Sequence, residues 1–454
     1  MTFVRRVAPI AMSIVTSPRT RALRRAVASA ARRLRGRPRE VHYFHQVADP
    51  YSALAAQTLR AFTDRYDVAL IPHLVAPPSD AAAPERALLE AFARRDAADV
   101  ARGYGLAFPA NAAAPNASAL ALAQRVLTRG ISEAMFVDSA ARVSAALWTG
   151  DTGALSALAR ELGEASDAEA SAAIARGTAL RERLGHYLGA MFRYEGEWYW
   201  GIDRLHHLER RLISEGAQKG AVPGAFIAPR PTPRRDARPS SPAPNHAIAA
   251  PERKPVALEF FASLRSPYTY IVAERAIALA QHYGVALVLR PVLPMVMRGL
   301  PVPPAKQFYI ALDTKREAED ASVPFGRVCD PVGRPVERCF SLFAWARARD
   351  RAAELLLEFM RAAWSEGVDT GTDAGLRLAV ERAGLAWSEA QTHLGRDDGW
   401  RAELEANRAE MFSLGLWGVP SFRVRGGGAP DYATWGQDRL WRVEEELRAR
   451  AGND

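Results

Sequence analysis

The alternation of apolar and polar positions predicts a first αβ unit between residues 41 and 215. Two short apolar runs predict strands at 41–45 and 68–75, with a helix at 50–62 between them. Helical periodicity continues through Ala-rich segments at 83–102, 116–129, 132–147, 153–163 and 167–183. The unit then ends with a predicted hairpin, 190–194 and 198–200 around Gly196, and a helix at 203–214.

A second unit, residues 256–450, repeats this order of elements. Strand 256–262, helix 267–283 and strand 285–289 precede a helical block from about 304 to 412. A strand reaching Arg425, the glycine turn 426–428, a strand at 432–434 and a helix at 437–449 follow. We therefore predict an α/β protein of two thioredoxin-like domains, each with a helical insertion between its β-α-β and β-β-α halves.

Arginine and proline content set the remaining boundaries. Residues 1–40 contain eleven arginines and one acid, Glu40, so they account for the net charge of +9 and the rest of the chain is close to neutral. We interpret them as a basic, solvated tail, with weak contact to acidic lipid as the alternative. Residues 216–255 carry nine of the thirty prolines, which predicts an extended linker.

Three stretches correspond between the two units in the same order. Residues 42–57 match 259–274, which places Asp49 opposite Ser266; 184–194 match 414–424, which places Ala190 opposite Pro420; and 199–205 match 434–440. This indicates duplication of a whole domain. A carboxylate at Asp49 would repel a thiolate, so we expect the first domain to be catalytically silent and to pair with the second within the chain.

Composition argues against several other classes of protein. The two cysteines, Cys329 and Cys339, form no CxxC pair, and the nine histidines lack the spacing of metal ligands, so we predict no metal. The arginines of the tail have no stacking aromatics among them, which argues against nucleic acid. With neither a bilayer-spanning run nor an export signal, we expect a cytoplasmic protein without an integral membrane segment.

Candidate chemistry concentrates where the strand 256–262 meets the following helix. Ser266 is a good N-cap, and Pro267 suits the first helical position. The hydroxyl group would lie beside free N–H groups at the positive end of the helix dipole, which stabilises anions, including thiolates. The alternative is that Ser266 only caps the helix. A cis bond before Pro420 would turn the Val419 backbone outward, but the sequence leaves cis and trans open.

Four motifs in order carry a resemblance to a known family. They are Ser266-Pro267-Tyr268-Thr269-Tyr270; a helix with Lys306, Tyr309, Asp313 and Arg316 before Val323-Pro324-Phe325; Gly418-Val419-Pro420; and Trp435-Gly436-Gln437-Asp438-Arg439. With them, residues 256–450 resemble the DsbA-like thioredoxin superfamily, and within it the branch of 2-hydroxychromene-2-carboxylate isomerases and kappa-class glutathione transferases. An Asn that the family often has before a Pro-Pro pair is missing at Pro303-Pro304.

The resemblance implies glutathione as cofactor and a role for each matching position. Ser266 would stabilise the glutathione thiolate, and Pro267 and Tyr268 would form the wall beside it. Val419, before Pro420, would pair its backbone with the cysteinyl unit. Gln437 and Asp438 would hold the γ-glutamyl end.

Three functions follow as hypotheses. The first is a glutathione-dependent isomerase or transferase acting on a small aromatic substrate with an electron-poor alkene. The second, a thiol-disulfide oxidoreductase, needs a thiolate where the chain has Ser266 and Thr269. The third is a non-catalytic binding or scaffold protein.

Overall fold

The computed structural model describes residues 3–220, 226–232, 255–396 and 399–451. The chain divides into two compact units. The N-terminal unit comprises the described residues of Ala22–Pro231 and Pro303–Tyr309; the C-terminal unit comprises those of Met1–Arg21, Thr232–Val302 and Ile310–Asp454. Most of the predicted linker 216–255 lies outside the described residues.

The basic segment at the start of the chain is helical and is not a solvated tail. It forms α1 (Phe3–Val15) and α2 (Pro18–Leu34). Two arginines of α2 form ion pairs with acidic residues of the N-terminal unit: Arg25 with Glu197 and Arg32 with Glu195. Contacts of this kind join residues far apart in the sequence, so a pattern of charges along the chain does not reveal them.

The N-terminal unit is built on a four-stranded mixed sheet. Its strands are β1 (Glu40–His45), β2 (Ala69–Leu74), β3 (Met191–Tyr194) and β4 (Glu197–Trp200), in the order β2-β1-β3-β4. The pair β1–β2 is parallel, with Glu40 opposite Ala69, and the other two pairs are antiparallel. The helices of this part are α3 (Pro50–Ala56), α4 (Leu59–Arg65), α5 (Arg86–Tyr104), α6 (Ala117–Arg129), α7 (Glu133–Thr149), α8 (Thr152–Leu162), α9 (Asp167–Arg183) and α10 (Leu205–Ser214).

The C-terminal unit has a sheet of the same order. Its strands are β5 (Ala257–Ala262), β6 (Ala286–Pro291), β7 (Ser421–Arg425) and β8 (Tyr432–Trp435), arranged β6-β5-β7-β8 with β5–β6 parallel. Its helices are α11 (Pro267–His282), α12 (Pro304–Asp320), α13 (Arg334–Phe340), α14 (Phe343–Arg347), α15 (Ala352–Trp364), α16 (Asp373–Arg382), α17 (Trp387–His393), α18 (Trp400–Ser413) and α19 (Leu440–Ala451). The first few residues of α12 belong to the N-terminal unit.

The predicted fold class is confirmed, because each sheet joins a β-α-β half to a β-β-α half across a block of helices. In each unit the first strand lies inside the sheet: β5 is buried along its whole length and β1 at four of its six residues, in keeping with the burial of parallel pairs. One polar residue breaks the apolar pattern of β5: the carboxylate of Glu259 is fully buried and pairs with Arg290, Arg423 and Arg425. Among the described residues, no helix is both long and apolar enough to cross a bilayer.

Candidate functional site

Ser266 lies at the junction of β5 and α11 and caps that helix. Its backbone is extended, with φ −95° and ψ 112°, and its hydroxyl oxygen accepts a hydrogen bond of 3.1 Å from the Thr269 N–H. Pro267 occupies the first helical turn, where its missing N–H leaves no bond unmade. The predicted N-cap geometry is therefore present, and Ser266 and Pro267 are both half-buried.

The loop before β7 brings Val419 to the same hydroxyl group. The Ser266 Oγ donates to the Val419 carbonyl oxygen at 3.4 Å, which is longer than the roughly 2.5–3.0 Å of an ordinary O–H···O bond. Within the part of the chain that the structure describes, the Val419 N–H donates to no acceptor. The Val419–Pro420 peptide bond is cis. The weakly held hydroxyl proton of Ser266 is thus directed at a residue whose own backbone N–H is free.

Gly418 in this loop lies directly against an indole ring. A Cβ at this position would lie 2.4–2.6 Å from three atoms of the Trp435 ring. Trp435 in turn packs edge-on against Trp417, with ring centroids 5.2 Å apart. Two tryptophans therefore fix the path of the loop that presents Val419.

Tyr268 is anchored at its far end. Its hydroxyl group donates to Asp313 Oδ2 at 2.7 Å, and Arg316 donates to Asp313 Oδ1 at 3.0 Å. Asp313 and Arg316 are buried on α12, and Tyr268 is half-buried. Asp313, held by Arg316, thus anchors Tyr268, a contact that the sequence did not predict.

The side chain of Gln437 is buried and takes part in a network within the protein. Its amide nitrogen donates to Glu317 at 2.6 Å and to Asp438 at 2.5 Å, and its amide oxygen accepts from Arg275 at 3.1 Å. These bonds use three of the four hydrogen-bonding positions of the amide, which leaves little for a ligand. Asp438 is half-buried.

The first half of the α12 motif lies in the other unit. The Lys306 ammonium group donates to the Ala82 carbonyl oxygen at 2.9 Å, and burial lowers its pKa to about 8. Tyr309 packs edge-on against His186, with ring centroids 4.6 Å apart. Lys306, Tyr309, Ala82 and His186 all belong to the N-terminal unit.

The two cysteines are buried free thiols. Burial raises the pKa of the Cys339 thiol well above its ordinary value, which keeps it protonated. Cys329 lies in the loop before α13, at no helix start.

In the N-terminal unit the corresponding position is filled by the protein's own groups. Asp49 caps α3 by accepting from the Tyr51 and Ser52 N–H groups. The Ser52 hydroxyl group donates to Asp49 Oδ2 at 2.8 Å and accepts from the N–H groups of Gln46 and Ala190 at 3.1 and 2.9 Å. Burial raises the pKa of the Asp49 carboxyl to about 6. The hydrogen bonds that it accepts from Ser52 and Tyr51 lower this pKa, but burial has the larger effect.

The residue opposite Val419 in the N-terminal unit is Gly189, and the space around it is occupied. A Cβ there would lie 2.6 Å from Gln46 Cβ and 3.2 Å from Asp49 Oδ2. Where the C-terminal unit offers a hydroxyl group and a free N–H, the N-terminal unit has a closed hydrogen-bond cluster of Gln46, Asp49, Ser52 and Ala190.

Residues 257–448 match the family described as the DSBA-like thioredoxin domain. Among solved structures, a 2-hydroxychromene-2-carboxylate isomerase is 23% identical, covering 44% of this chain and 99% of its own, with a TM-score of 0.35. A probable DsbA oxidoreductase from Streptomyces coelicolor is 20% identical over 44% of this chain and 91% of its own, with a TM-score of 0.34. The cytosolic disulfide reductase DsbM from Pseudomonas aeruginosa with GSH is 20% identical over 43% and 99%, with a TM-score of 0.30. No curated protein matches the chain.

Proposed function

We propose that the C-terminal unit is a glutathione-dependent isomerase or transferase of the 2-hydroxychromene-2-carboxylate isomerase and kappa-class transferase type. The substrate class is a small aromatic molecule with an electron-poor alkene. When bound, glutathione supplies a thiolate that adds reversibly to such an alkene, and the bond can rotate while it is single. The residues of this chain would bind glutathione and stabilise its thiolate.

The observation that carries the proposal is the placement of Ser266 between a helix start and the Val419 carbonyl group. The hydroxyl proton is held by a bond of 3.4 Å, so it can be redirected to a sulfur atom at little cost. The positive end of the α11 dipole lies at the same point and favours a negative charge there. Ser266 would therefore keep a bound thiol in its anionic form.

The Val419 backbone would hold the peptide part of the cofactor. Its N–H makes no hydrogen bond within the described residues, and an extended peptide could accept from it as a neighbouring strand does. Pro267 and Tyr268 would form the wall of the site, with Asp313 keeping the Tyr268 ring in place. Pro420 directly follows Val419 and immediately precedes Ser421, the first residue of β7.

Asp438 is the side chain proposed to hold the ammonium group of the γ-glutamyl unit. Its carboxylate is half-buried at the start of the last helical segment. Gln437 is proposed to contribute its main chain only, because its side-chain amide already joins Arg275 to Glu317. The role of Gln437 thus changes from ligand to support of Asp438, whose Oδ1 accepts from it.

A thiol-disulfide oxidoreductase is not favoured. Thiol-disulfide exchange needs a thiolate at the helix start, and this chain has Ser266 there and Thr269 three residues on. Cys339 is buried with a raised pKa, the opposite of what a reactive thiol needs.

We further propose that the two units arose by tandem duplication and that the N-terminal unit is catalytically silent. The identical strand order of the sheets and the three matching stretches of sequence support the duplication. The closed cluster around Ser52 supports the loss of the site. The positions that correspond to Ser266 and Val419 are occupied there by Asp49 and Gly189, with Gln46 packed against Gly189.

Calorimetric titration of the full-length protein with glutathione tests the proposal. Binding is expected at millimolar concentration or below, to be weakened in Ser266→Ala and retained in Ser263→Ala, a buried serine of the same loop. Absence of binding to the wild-type protein at millimolar glutathione would remove the proposal. Isomerisation of an arylidene-pyruvate substrate, followed by absorbance with and without glutathione, tests the reaction itself.

A further inference from the structure

Helix α2 is attached to the N-terminal unit along one side. Arg25 donates two bonds of 2.7 Å to the carboxylate of Glu197, and Arg32 donates one of 2.9 Å to Glu195. The Ser29 hydroxyl group lies 3.3 Å from the same Glu195 carboxylate. Positions 25, 29 and 32 are spaced by four and three residues, so they share one face of the helix.

The opposite face of α2 carries apolar side chains in solvent. Leu23, Val27 and Leu34 are each at least 60% exposed. They are spaced by four and seven residues, so they form one stripe. At about 100° per residue this stripe lies on the side turned away from the attached face. The stripe is called the outer face of α2 below.

Unpaired arginines border the outer face of α2. Arg19, Arg24 and Arg33 are exposed, and none of them forms an ion pair with an acidic residue within the described ranges. Helical spacing puts Arg24 on one flank of the stripe and Arg19 and Arg33 on the other. An apolar stripe between cationic flanks is the arrangement of helices that lie in a membrane interface.

We propose that the outer face of α2 binds the surface of a bilayer that contains anionic phospholipid. Its leucine and valine side chains would enter the boundary between headgroups and acyl chains, and the flanking arginines would lie among the phosphates. Charge complementarity selects this partner: residues 1–40 hold eleven arginines and one acid. Glu195 and Glu197 neutralise arginines on the attached face, so the unpaired charge is directed outward.

Flotation of the full-length protein with vesicles tests the proposal. Phosphatidylcholine vesicles with phosphatidylserine are expected to carry the protein at about 0.1 M salt, and pure phosphatidylcholine vesicles to carry far less. Leu23→Gln with Val27→Gln should lower the partition coefficient about tenfold or more. The matched control is Met135→Gln with Ile213→Gln, two other exposed apolar residues, which should change it less than twofold.

The charge contribution has its own pair of variants. Arg24→Gln with Arg33→Gln should lower partitioning about fivefold for each arginine removed. Arg160→Gln with Arg183→Gln removes the same charge from exposed positions elsewhere and should have little effect. All four sites are exposed, so circular dichroism should report unchanged folding.

Two outcomes would overturn the proposal. One is failure of the wild-type protein to float with phosphatidylserine vesicles, or equal flotation of L23Q/V27Q. The other is a dimer in lipid-free sedimentation that L23Q/V27Q converts to a monomer, because the outer face of α2 would then be an interface between copies of the chain.

Discussion

The hydroxyl oxygen of Ser266 lies 3.4 Å from the carbonyl oxygen of Val419, so the start of α11 and the loop before β7 meet at one hydroxyl group. The same oxygen accepts from the Thr269 N–H at 3.1 Å. One side chain thus serves as helix cap and as a donor directed at the loop. Its structural and proposed chemical roles can be separated by measurement.

Ser266→Ala is predicted to lower any glutathione-dependent rate by about ten- to a hundredfold. A hydrogen bond to a charged group is worth roughly 1.5–3 kcal/mol, and about 1.4 kcal/mol corresponds to a factor of ten. The loss of the cap should cost only about 1 kcal/mol of stability. Steady-state kinetics and thermal unfolding of the same preparation measure both quantities.

Ser263→Ala is the control for that variant. Ser263 is 1% exposed, and its Oγ has no hydrogen-bond partner in the described part of the structure, so its removal leaves no group unsatisfied. It should leave the rate within about twofold of the wild type. If Ser263→Ala slowed the reaction as much as Ser266→Ala, the hydroxyl group of Ser266 would have no special part in it.

Gly418→Ala is predicted to destabilise the C-terminal unit by about 1–3 kcal/mol, the usual cost of overpacking. The new methyl group would lie 2.4–2.6 Å from the Trp435 ring, which is packed against Trp417. Urea unfolding followed by tryptophan fluorescence measures the change. Gly153→Ala is the control, since the nearest atom to its added Cβ is at 3.4 Å, and it should be neutral or slightly stabilising.

The stability of the N-terminal unit is predicted to depend on the ionisation of Asp49. Burial raises the pKa of this carboxyl from 3.8 to about 6, so the folded state holds the proton more tightly than the unfolded chain does. The contribution of Asp49 to the free energy of unfolding therefore falls as the pH rises from about 4 to about 6. Above that range the charged carboxylate costs about 2–3 kcal/mol, at about 1.4 kcal/mol per pKa unit.

Asp49→Asn tests this dependence because the amide cannot ionise. Relative to the wild type, its free energy of unfolding should increase by about 2–3 kcal/mol between pH 4 and pH 7, on top of a constant offset for the altered cap. Urea titrations of both proteins across that range measure the difference. Asp151→Asn, at the exposed cap of α8, shows what the same replacement does to a helix cap at the surface. A difference between wild type and D49N that stays constant with pH would contradict the prediction.

Ser52→Ala is predicted to destabilise the N-terminal unit by about 2–6 kcal/mol. It leaves the N–H groups of Gln46 and Ala190 without their acceptor, and each buried donor left unsatisfied costs about 1–3 kcal/mol. Ser139→Ala is the control: Ser139 is equally buried, but its hydroxyl group donates only to the Met135 carbonyl within α7. A smaller effect for Ser52→Ala than for Ser139→Ala would show that the cluster does not hold the loop.

The sequence predicted the sheets and helices well because their signals are local. Apolar runs, N-caps and glycine turns lie within each element, and the position of Ser266 at the start of α11 follows from Ser-Pro alone. The predicted single helix at 50–62 is instead two helices, α3 and α4, interrupted at Gln57 and Thr58. No proline or glycine marks this interruption.

The surroundings of the site were less predictable because they depend on contacts between distant residues. Gln437 was expected to contact a ligand, but its amide is taken up by Arg275 and Glu317, 162 and 120 residues away in the chain. The prediction of a solvated tail was wrong for the same reason. Arg25 of this segment pairs with Glu197, which lies 172 residues further along the chain. Charge and polarity alone do not distinguish a ligand-binding side chain from one that is bonded within the protein.

The bond from Tyr268 to Asp313 has a counterpart in the other unit, where Tyr51 donates to Asp96 at 2.8 Å. Both bonds join residues 45 positions apart, and each closes a loop that contains the second strand of the parallel pair, β2 or β6. Loops of equal length carry the same closure entropy. The segments 51–96 and 268–313 therefore have the same length. A chimera that exchanges them would keep a tyrosine and an aspartate at the two ends of each loop.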